Sequence, residues 1–377
     1  MYKHPKIAIV GGSLTGPTLA LLLLRAGFDD LTLYDAAPAL ATRTGGVMSL
    51  ENTALDVLAT IGIPQREIVT GRSDTIAQIT VRNRRPIKTT RIPYPGRFTT
   101  WALLHAALRA RLPGSVLHLG TRIVGLHESV RGPVVVRADG SSEPADLVVF
   151  ADGRNSIGRR LLDPGRQTCY SGCVAHRGTS SRPGDPSGDF RRYDLGQGGQ
   201  FNLAPVPGGQ DWIFGLNASP NEFRAWFGVS PGERSYVTDG QIGGSARSRL
   251  DQEAVDRLPA AEAHLVVSTR RRAAVAIMDV DPPTSMVWPI GAGYAVLLGD
   301  ALAPPRPVTA RGANAGIEQA AGLVQCLRHG QLGDDLRDWE RHCLPDAVAT
   351  LERGLLISSR LGLGTSHTIP VLDGARR

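Results

Sequence analysis

The sequence is poor in cysteine, and its cysteines form no recognisable pattern. Four occur in 377 residues, with no C-x-x-C pair and no histidine at a zinc-like spacing. Neither a disulfide framework nor a metal site is therefore predicted, and we expect reduced thiols in a cytoplasmic protein. The four are Cys169, Cys173, Cys326 and Cys343.

Lysine is almost absent, although the chain is basic overall. Only Lys3, Lys6 and Lys88 occur among the 42 Lys and Arg residues, and the net charge is +7. The longest basic run is Arg270–Arg272, and no basic block contains interleaved aromatic residues. Since an arginine-biased genome explains this composition at least as well as a nucleic-acid partner does, we expect no nucleic-acid partner.

No apolar run is long enough to cross a membrane. The N-terminal stretch superficially resembles a signal peptide, but Gly11-Gly12-Ser13 interrupts it and Arg25 ends the apolar run Leu19–Leu24. We therefore predict no targeting or transmembrane segment and no membrane partner. The sequence also lacks a G-x-S-x-G nucleophile elbow, which argues against a serine hydrolase.

The N-terminal segment has the pattern of a βαβ unit. Lys6–Val10 is a predicted strand, a glycine-rich turn follows, a helix extends to about Arg25, and Leu31–Tyr34 is the second strand. Gly27 suits the left-handed position after the helix. A chain of this length is expected to form two or three domains, or two interleaved ones.

The rest of the chain alternates between apolar strands and loop-rich segments. Asp146–Phe150 and Tyr294–Leu298 are predicted buried strands, and Gly312–Arg328 is a predicted helix. Residues 179–199 and 230–245 are rich in glycine, serine and other loop-forming residues. This composition predicts an antiparallel sheet with long loops, which is a candidate substrate domain.

The glycine-rich turn has the spacing of a dinucleotide fingerprint. It lies at the start of a helix, where free N–H groups and the helix dipole favour a pyrophosphate. Gly11 suits the tight turn, Gly16 allows close packing, and the small Ser13 stands where a glycine is usual. Asp35, after the second strand, can accept hydrogen bonds from a ribose. The residues predicted to contact the dinucleotide here are Gly11, Ser13, Leu14, Thr15, Gly16 and Asp35.

Two later motifs each place an aspartate at the end of an apolar strand. They are Asp152-Gly153 and Asp300, and the second is followed by Arg306-Pro307 and Gly312-Ala313-Asn314. The last of these starts a helix, whose positive end suits the negative charge of a reduced flavin. Each motif alone also fits an ordinary strand–turn–helix, so the order of the three along the chain is the stronger signal.

In this order the three motifs resemble the fingerprints of the group A flavoprotein monooxygenases, the para-hydroxybenzoate hydroxylase family, over essentially the whole chain. Finer matches resemble the branch that contains dihydroxypyridine hydroxylase and hydroxynicotinate monooxygenase, which hydroxylates nitrogen heteroaromatic rings. These matches are Arg43, Gly45-Gly46-Val47, Thr100-Trp101, Gly172–Gly178, Arg306-Pro307 and Trp339-Glu340.

The resemblance implies a mixed α/β fold in which a Rossmann-like FAD-binding domain is interleaved with an antiparallel-sheet substrate domain, followed by a C-terminal helix. The expected boundaries are 1–74, 99–165 and 284–345 for the FAD-binding domain, 75–98 and 166–283 for the substrate domain, and 346–377 for a C-terminal helical segment. That segment follows Pro345, which we expect to bend or break a helical stretch from about Asp335 to Leu361.

The resemblance also implies the cofactors and the reaction. A non-covalently bound FAD is reduced by NADH or NADPH, forms a C4a-hydroperoxide with O2 and transfers one oxygen atom to a small aromatic substrate. We expect a monomer or a homodimer. Arg43 either contacts FAD, steers the nicotinamide phosphate or is a solvated loop residue. Beyond the first motif, the predicted cofactor residues are Arg43, Trp101, Asp152, Gly153, Asp300, Gly312, Ala313 and Asn314.

No catalytic base is evident in the sequence. His176 could deprotonate a phenol-like hydroxyl, but a structural histidine fits its position better. Arg177 could bind an anionic substrate or form an interdomain ion pair, and Pro307 stiffens the loop of the third motif. Relatives commonly carry other residues where Trp101, His176 and Ala303 stand, which leaves the identity of the substrate open.

Other functions remain open on the same scaffold, because a fold does not determine its chemistry. A Baeyer–Villiger oxygenase, an epoxidase or a reductase would carry the same flavin motifs, and so would a non-catalytic flavin-binding partner in a biosynthetic pathway. A plain NAD-dependent dehydrogenase needs only the first motif, so the two later aspartate motifs argue against it.

Overall fold

The computed structural model describes residues 4–38, 46–182, 188–327 and 330–364. The chain forms two compact units, each assembled from separate segments. Unit 1 comprises Met1–Arg72, Pro95–Thr168 and Val280–Arg353, and unit 2 comprises Ser73–Tyr94, Cys169–Asp279 and Gly354–Arg377. Two interleaved units of different architecture confirm the predicted fold class.

Unit 1 is built around a six-stranded sheet. Its strands are β1 (Ile7–Val10), β2 (Leu31–Tyr34), β6 (Leu117–His118), β10 (Leu147–Phe150), β17 (Val287–Ile290) and β18 (Gly293–Leu297). They lie in the order β17-β18-β10-β1-β2-β6, and all neighbours are parallel except β17 and β18. The strands β1 and β10 are apolar and buried throughout, as expected of parallel strands covered on both faces.

Helices pack around this sheet. They are α1 (Thr15–Arg25), α2 (Asn52–Thr60), α3 (Gln65–Ile68), α4 (Trp101–Arg109), α5 (Ile157–Leu162), α9 (Gly312–Cys326) and the first part of α10 (Leu332–Arg360). Leu19 of α1, Leu323 of α9 and Trp339 of α10 are fully buried in the same cluster as the strands. Burial of these faces, rather than helix propensity alone, holds the helices in place.

Smaller strand pairings complete unit 1. A three-stranded antiparallel sheet contains β7 (Ile123–Ser129), β8 (Gly132–Arg137) and β9 (Ser142–Pro144). In addition, β3 (Val47–Leu50) pairs with the last residues of β5 (Arg85–Thr100). This pairing places the start of α4, which follows β5 directly, next to β3.

Unit 2 is built on one large, mainly antiparallel sheet. Its strands are β4 (Gly71–Arg82), β5, β11 (Cys169–Ser180), β12 (Phe190–Gly196), β13 (Gly199–Val206), β14 (Gly209–Asn217), β15 (Tyr236–Val237) and β16 (Arg272–Asp279). They lie in the order β15-β16-β11-β14-β13-β12-β4-β5. The strands β11, β13, β14 and β16 pair antiparallel, whereas β4 and β12 are parallel.

Three helices of unit 2 pack on its sheet: α6 (Pro220–Phe227), α7 (Gly244–Arg257) and α8 (Ala260–Ser268). Leu250 of α7 and Val266 of α8 share a buried cluster with Trp212 of β14. The indole Nε1 of Trp212 donates to Thr269 Oγ1 at 3.0 Å, so this large buried ring keeps its polar atom paired. The sequence interpretation missed α7 and α8, because α7 carries few apolar residues and follows a loop-rich segment.

Of the two expected effects of Pro345, a bend or a break, the break does not occur, because α10 continues through this residue to Arg360. Proline removes one backbone hydrogen bond, but Trp339, Ala347 and Leu351 on the two sides of it are buried, and this packing outweighs the loss. Although α10 has 29 residues, no helix in the described part of the chain is long and apolar enough to cross a membrane.

Candidate cofactor site

The predicted motifs meet at one edge of the parallel sheet of unit 1. The strands β18, β10, β1 and β2 are consecutive neighbours in that sheet. The glycine-rich turn follows β1, Asp35 follows β2, Asp152 follows β10 and Asp300 follows β18. Parallel strands bring their carboxyl ends together, and the crevice beyond such ends is where open α/β sheets bind ligands.

The turn after β1 has no room for side chains at two of its glycines. Gly11 has a φ of +114°, and a Cβ on it would lie 2.4 Å from the carbonyl oxygen of Ala151. A Cβ on Gly16 would lie 1.9 Å from the carbonyl oxygen of Gly11. Both distances are far below van der Waals contact, so the turn and α1 pack backbone to backbone, as a dinucleotide fingerprint requires.

Leu14 and Thr15 can offer a bound pyrophosphate their backbone rather than their side chains. Leu14 lies at the N-cap of α1 without a side-chain cap, and its side chain is buried in the apolar core. The side chain of Thr15 packs beside Gly299 and Gly316. The N–H groups in the first turn of α1 therefore remain available to an anion.

Asp35 lies directly beside the glycine-rich turn. Its Oδ1 accepts a hydrogen bond of 2.9 Å from the N–H of Ala37. A Cβ on Gly12 would lie 2.3 Å from Asp35 Oδ2, so the carboxylate reaches over the turn only because residue 12 is glycine. This places the carboxylate where the ribose of an adenosine would lie.

One face of α4 lies along the same turn. Trp101 Nε1 donates to Ser13 Oγ at 3.3 Å, and His105 Nε2 lies 3.1 Å from the carbonyl oxygen of Gly12. The two rings stack with their centroids 4.4 Å apart. One turn further, Nε and Nη1 of Arg109 are buried and have no hydrogen-bond partner in the described chain. Sequence reasoning included Trp101 in the site, interpreted His105 as a structural helix residue and missed Arg109, although the three share one helix face at a spacing of four residues.

The Asp152 carboxylate is engaged within its own loop. It accepts hydrogen bonds from Ser156 Oγ and, at 2.6 Å, from the N–H of Ile157. Burial raises the pKa of this carboxyl, and the hydrogen bonds act to lower it. Gly153 has a φ of +79°, which favours glycine although a Cβ there would meet nothing within 4 Å. Asp152 therefore shapes the loop whose backbone passes the sheet edge.

Arg159 connects the loop after β10 with the loop after β18, a link that sequence reasoning did not predict. Its buried guanidinium donates from Nη1 to the carbonyl oxygens of Ala301 at 2.8 Å and Asp300 at 3.3 Å. Burial, together with the nearby Arg166, lowers the pKa of Arg159 to about 10. It therefore stays charged near neutral pH and fixes the backbone on which Asp300 sits.

The half-buried carboxylate of Asp300 has no hydrogen-bond partner among the residues that the structure describes. Burial raises the pKa of this carboxyl, and the positive charges of Arg154 and Arg159 act to lower it. A Cβ on Gly312 would lie 3.5 Å from Asp300 Oδ1, so the carboxylate lies next to the start of α9. A carboxylate without a partner in such surroundings suits a cofactor hydroxyl, which would supply the missing donor.

The start of α9 is held in place by Asn314. Its side chain is fully buried, with Oδ1 accepting from the N–H of Glu51 at 2.9 Å and Nδ2 donating to the carbonyl oxygen of Ser49 at 3.0 Å. The side chain of Asn314 thus ties α9 to the end of β3. The preceding Gly312 and Ala313 carry backbone N–H groups at the positive end of the helix.

Two predicted residues remain, and the structure describes one of them, Pro307. Arg43 lies outside the described residues. Pro307 begins a 3₁₀ turn, Pro307–Thr309, and Ala310 after it adopts a left-handed φ of +56°. The loop between Asp300 and α9 thus has a defined backbone course.

The two other catalytic candidates, both in unit 2, are adjacent on β11 and point to opposite faces of its sheet. His176 is buried beside Trp226, and burial, with the nearby Arg272, lowers its pKa to about 3. Its imidazole is therefore neutral near neutral pH. Arg177 Nη2 lies 3.7 Å from Asp211 Oδ2 within the same unit. The structure therefore does not bring these two side chains together.

Comparisons with known proteins agree with this geometry. Residues 5–175 match the family described as "FAD binding domain". The chain is 30% identical to 3-amino-4-hydroxybenzoate 2-monooxygenase of Streptomyces cremeus over 95% of this chain and 88% of that protein. It is 29% identical to 6-hydroxynicotinate 3-monooxygenase of Pseudomonas fluorescens over 87% of this chain and 84% of that protein. The structure of 2,6-dihydroxypyridine-3-hydroxylase from Arthrobacter nicotinovorans has the same fold, with a TM-score of 0.84 at 21% identity over 98% of this chain and 96% of that chain.

Proposed function

This chain belongs to the family of FAD-dependent monooxygenases, and we propose that it transfers one oxygen atom from O2 to a small aromatic or nitrogen-heteroaromatic substrate. The observation that best supports this is the meeting of the glycine-rich turn, the Asp152 loop and Asp300 at neighbouring strand ends. The substrate class follows from the names of two relatives, which are monooxygenases of a hydroxylated benzoate and of a hydroxylated nicotinate.

The residues at this edge would hold FAD along its length. The N–H groups at the start of α1 would bind the pyrophosphate, Asp35 the adenosine ribose and Asp300 a ribityl hydroxyl. Gly312 and Ala313, at the positive end of α9, would lie beside the isoalloxazine ring and favour its negatively charged reduced form. FAD, when bound, supplies the redox chemistry, taking a hydride from NADH or NADPH and activating O2 at C4a.

The nicotinamide cofactor would bind transiently. Only one dinucleotide fingerprint is present, at Gly11–Gly16, and FAD would occupy it. NADH or NADPH therefore needs a second and less permanent place to bind. The protein must also exclude water from the reacting ring after reduction, so a movement between reduction and oxygenation is expected.

The two compact units suggest how the work is divided. We assign FAD binding to residues 1–74, 99–165 and 284–345, which contain all the predicted cofactor residues. Substrate binding is assigned to 75–98 and 166–283, whose long antiparallel strands carry His176 and Arg177. The end of α10, up to Arg360, would be the C-terminal helical part.

The test uses purified holoenzyme with hydroxylated benzoates, nicotinates and pyridines as candidate substrates. Under ¹⁸O2, a true substrate should yield a product with one ¹⁸O atom for each NADH or NADPH that it causes to be oxidised. A product that carries the label within an enlarged ring or an epoxide would instead indicate a Baeyer–Villiger oxygenase or an epoxidase. A reduced product without the label would overturn the proposal in favour of a reductase.

A further inference from the structure

We propose that Arg109 is a cofactor-binding residue that donates hydrogen bonds from Nε and Nη1 to oxygen atoms in the adenosine monophosphate half of FAD. This inference rests on the FAD site proposed above, but Arg109 belongs to none of its three motifs. It would make the end of α4 part of the adenosine subsite.

The guanidinium of Arg109 lacks acceptors at two of its nitrogen atoms. Its Nε and Nη1 are buried, and neither has a hydrogen-bond partner within the described chain. A buried guanidinium nitrogen without an acceptor is destabilising, and native proteins rarely keep one unless something else supplies the acceptor. The protein itself covers both atoms in this structure, so the guanidinium must turn toward the site to meet a ligand, whose ribose and phosphate oxygens would then satisfy both nitrogen atoms.

Arg109 lies on the face of α4 that contacts the dinucleotide turn. Trp101, His105 and Arg109 are spaced by four residues and share one helix face. The first two side chains contact Ser13 and the carbonyl oxygen of Gly12, which are consecutive residues of the dinucleotide turn. Eight residues of helix span about 12 Å. This face therefore extends past the turn that would bind the pyrophosphate.

The negative charge of Asp35 acts on Arg109. Burial lowers the pKa of its guanidinium, and the negative charge of Asp35 acts to raise it. Asp35 is therefore close enough to act on Arg109 electrostatically, although Nε and Nη1 make no hydrogen bond to it. A ribose hydroxyl both donates and accepts hydrogen bonds. It can therefore donate to the Asp35 carboxylate and accept from the Arg109 guanidinium at the same time.

A structural role is carried by a different arginine near the end of this helix. Arg111 donates to both carboxylate oxygens of Glu67 and to the carbonyl oxygens of Gly62 and Ala107. The acceptors for Arg111 thus come from the protein, whereas Nε and Nη1 of Arg109 have no acceptor in the described chain. Arg111 is therefore the matched control.

The experiment titrates FAD and FMN into apoprotein prepared from the wild type, Arg109→Leu, Arg109→Lys and Arg111→Leu. FMN lacks the adenosine monophosphate half. In Arg109→Leu we expect the Kd for FAD to rise about 10- to 100-fold, as for a lost charged hydrogen bond, and the Kd for FMN to stay unchanged. Arg109→Lys keeps the charge without the planar fork, so it should lose less. Arg111→Leu should change neither Kd.

Thermal unfolding of the apoproteins separates a binding role from a structural one. Arg109→Leu replaces the arginine with an apolar side chain and removes a charged group whose Nε and Nη1 have no hydrogen-bond partner in the described chain. Its apoprotein should therefore melt no lower than the wild type. Arg111→Leu should melt lower. The inference is overturned if Arg109→Leu binds FAD as the wild type does, or if it loses FAD and FMN equally while melting lower. Failure of the wild type to bind FAD would instead refute the proposed function.

Discussion

Replacing Asp300 with alanine should weaken FAD binding without unfolding the protein. The Asp300 carboxylate has no hydrogen-bond partner among the described residues, so its removal breaks no hydrogen bond there. A hydrogen bond from a cofactor hydroxyl to a charged group contributes about 1.5–3 kcal/mol. The Kd for FAD should therefore rise by roughly 10- to 150-fold, since each 1.4 kcal/mol is a factor of ten.

The assay is titration of apoprotein with FAD, followed by flavin fluorescence. Asp334→Ala is the control, because Asp334 is an exposed residue in the first turn of α10 and pairs only with Arg337 in the described structure. It should retain the wild-type Kd. A folded Asp300→Ala protein with an unchanged Kd would refute the assignment of Asp300 to the cofactor.

The isosteric Asp300→Asn variant tests the same reasoning through stability. Burial raises the folded-state pKa of Asp300 above its unfolded value, so ionisation of this carboxyl destabilises the apoprotein. That penalty is absent below the unfolded pKa of about 3.9 and develops as the pH rises through the folded pKa. Apo Asp300→Asn should therefore melt higher than wild-type apoprotein at pH 7.5, and by less at pH 4.5. A variant that melts lower at both pH values would show that the carboxylate has a structural partner.

Three further predictions concern the turn, the buried histidine and the order of the reaction. Gly16→Ala should lose bound flavin, because its Cβ would lie 1.9 Å from the carbonyl oxygen of Gly11. In the control Gly114→Ala the new Cβ would meet no atom within 4 Å, so this variant should keep one FAD per chain, as measured by flavin absorbance. His176→Phe should reduce the loss of stability in acid. The folded-state pKa of His176 is about 3, whereas the unfolded-state pKa of histidine is about 6.5. Protonation of His176 therefore lowers the unfolding free energy of the wild type as the pH falls below about 6.5, by up to about 1.4 kcal/mol per pH unit. Equal falls in the urea-unfolding free energy of both proteins between pH 7.5 and 5.5 would contradict this. Anaerobic stopped-flow should show that NADH or NADPH reduces the flavin slowly alone and faster with the true substrate, and equal rates would favour a flavoenzyme whose reduction does not wait for substrate.

Much of unit 1 was predictable because its signals are local. The apolar strand at Ile7–Val10, the glycines after it and Asp35 lie within one short stretch, and each needs only its neighbours to be interpreted. Unit 2 was harder to predict. Its helix α7 has a weak apolar stripe. In unit 1 the exception is Pro345 in α10, a strong local breaker whose effect is overridden by packing. Composition describes such segments poorly when contacts far along the chain decide their structure.

The sequence by itself determined the kind of cofactor site, because the fingerprint is a steric requirement of the backbone: Gly11 and Gly16 leave no room for a Cβ, and Asp300 follows a buried strand. Only the tertiary structure decided which side chains have partners within the protein. It links Arg159 to the carbonyl oxygen of Asp300, 141 residues away, and it brings Arg109 near Asp35. These relations depend on which strands are neighbours in the sheet and on which face a helix turns toward it. A periodic pattern specifies a helix and its faces, but it does not specify the partner that each face meets.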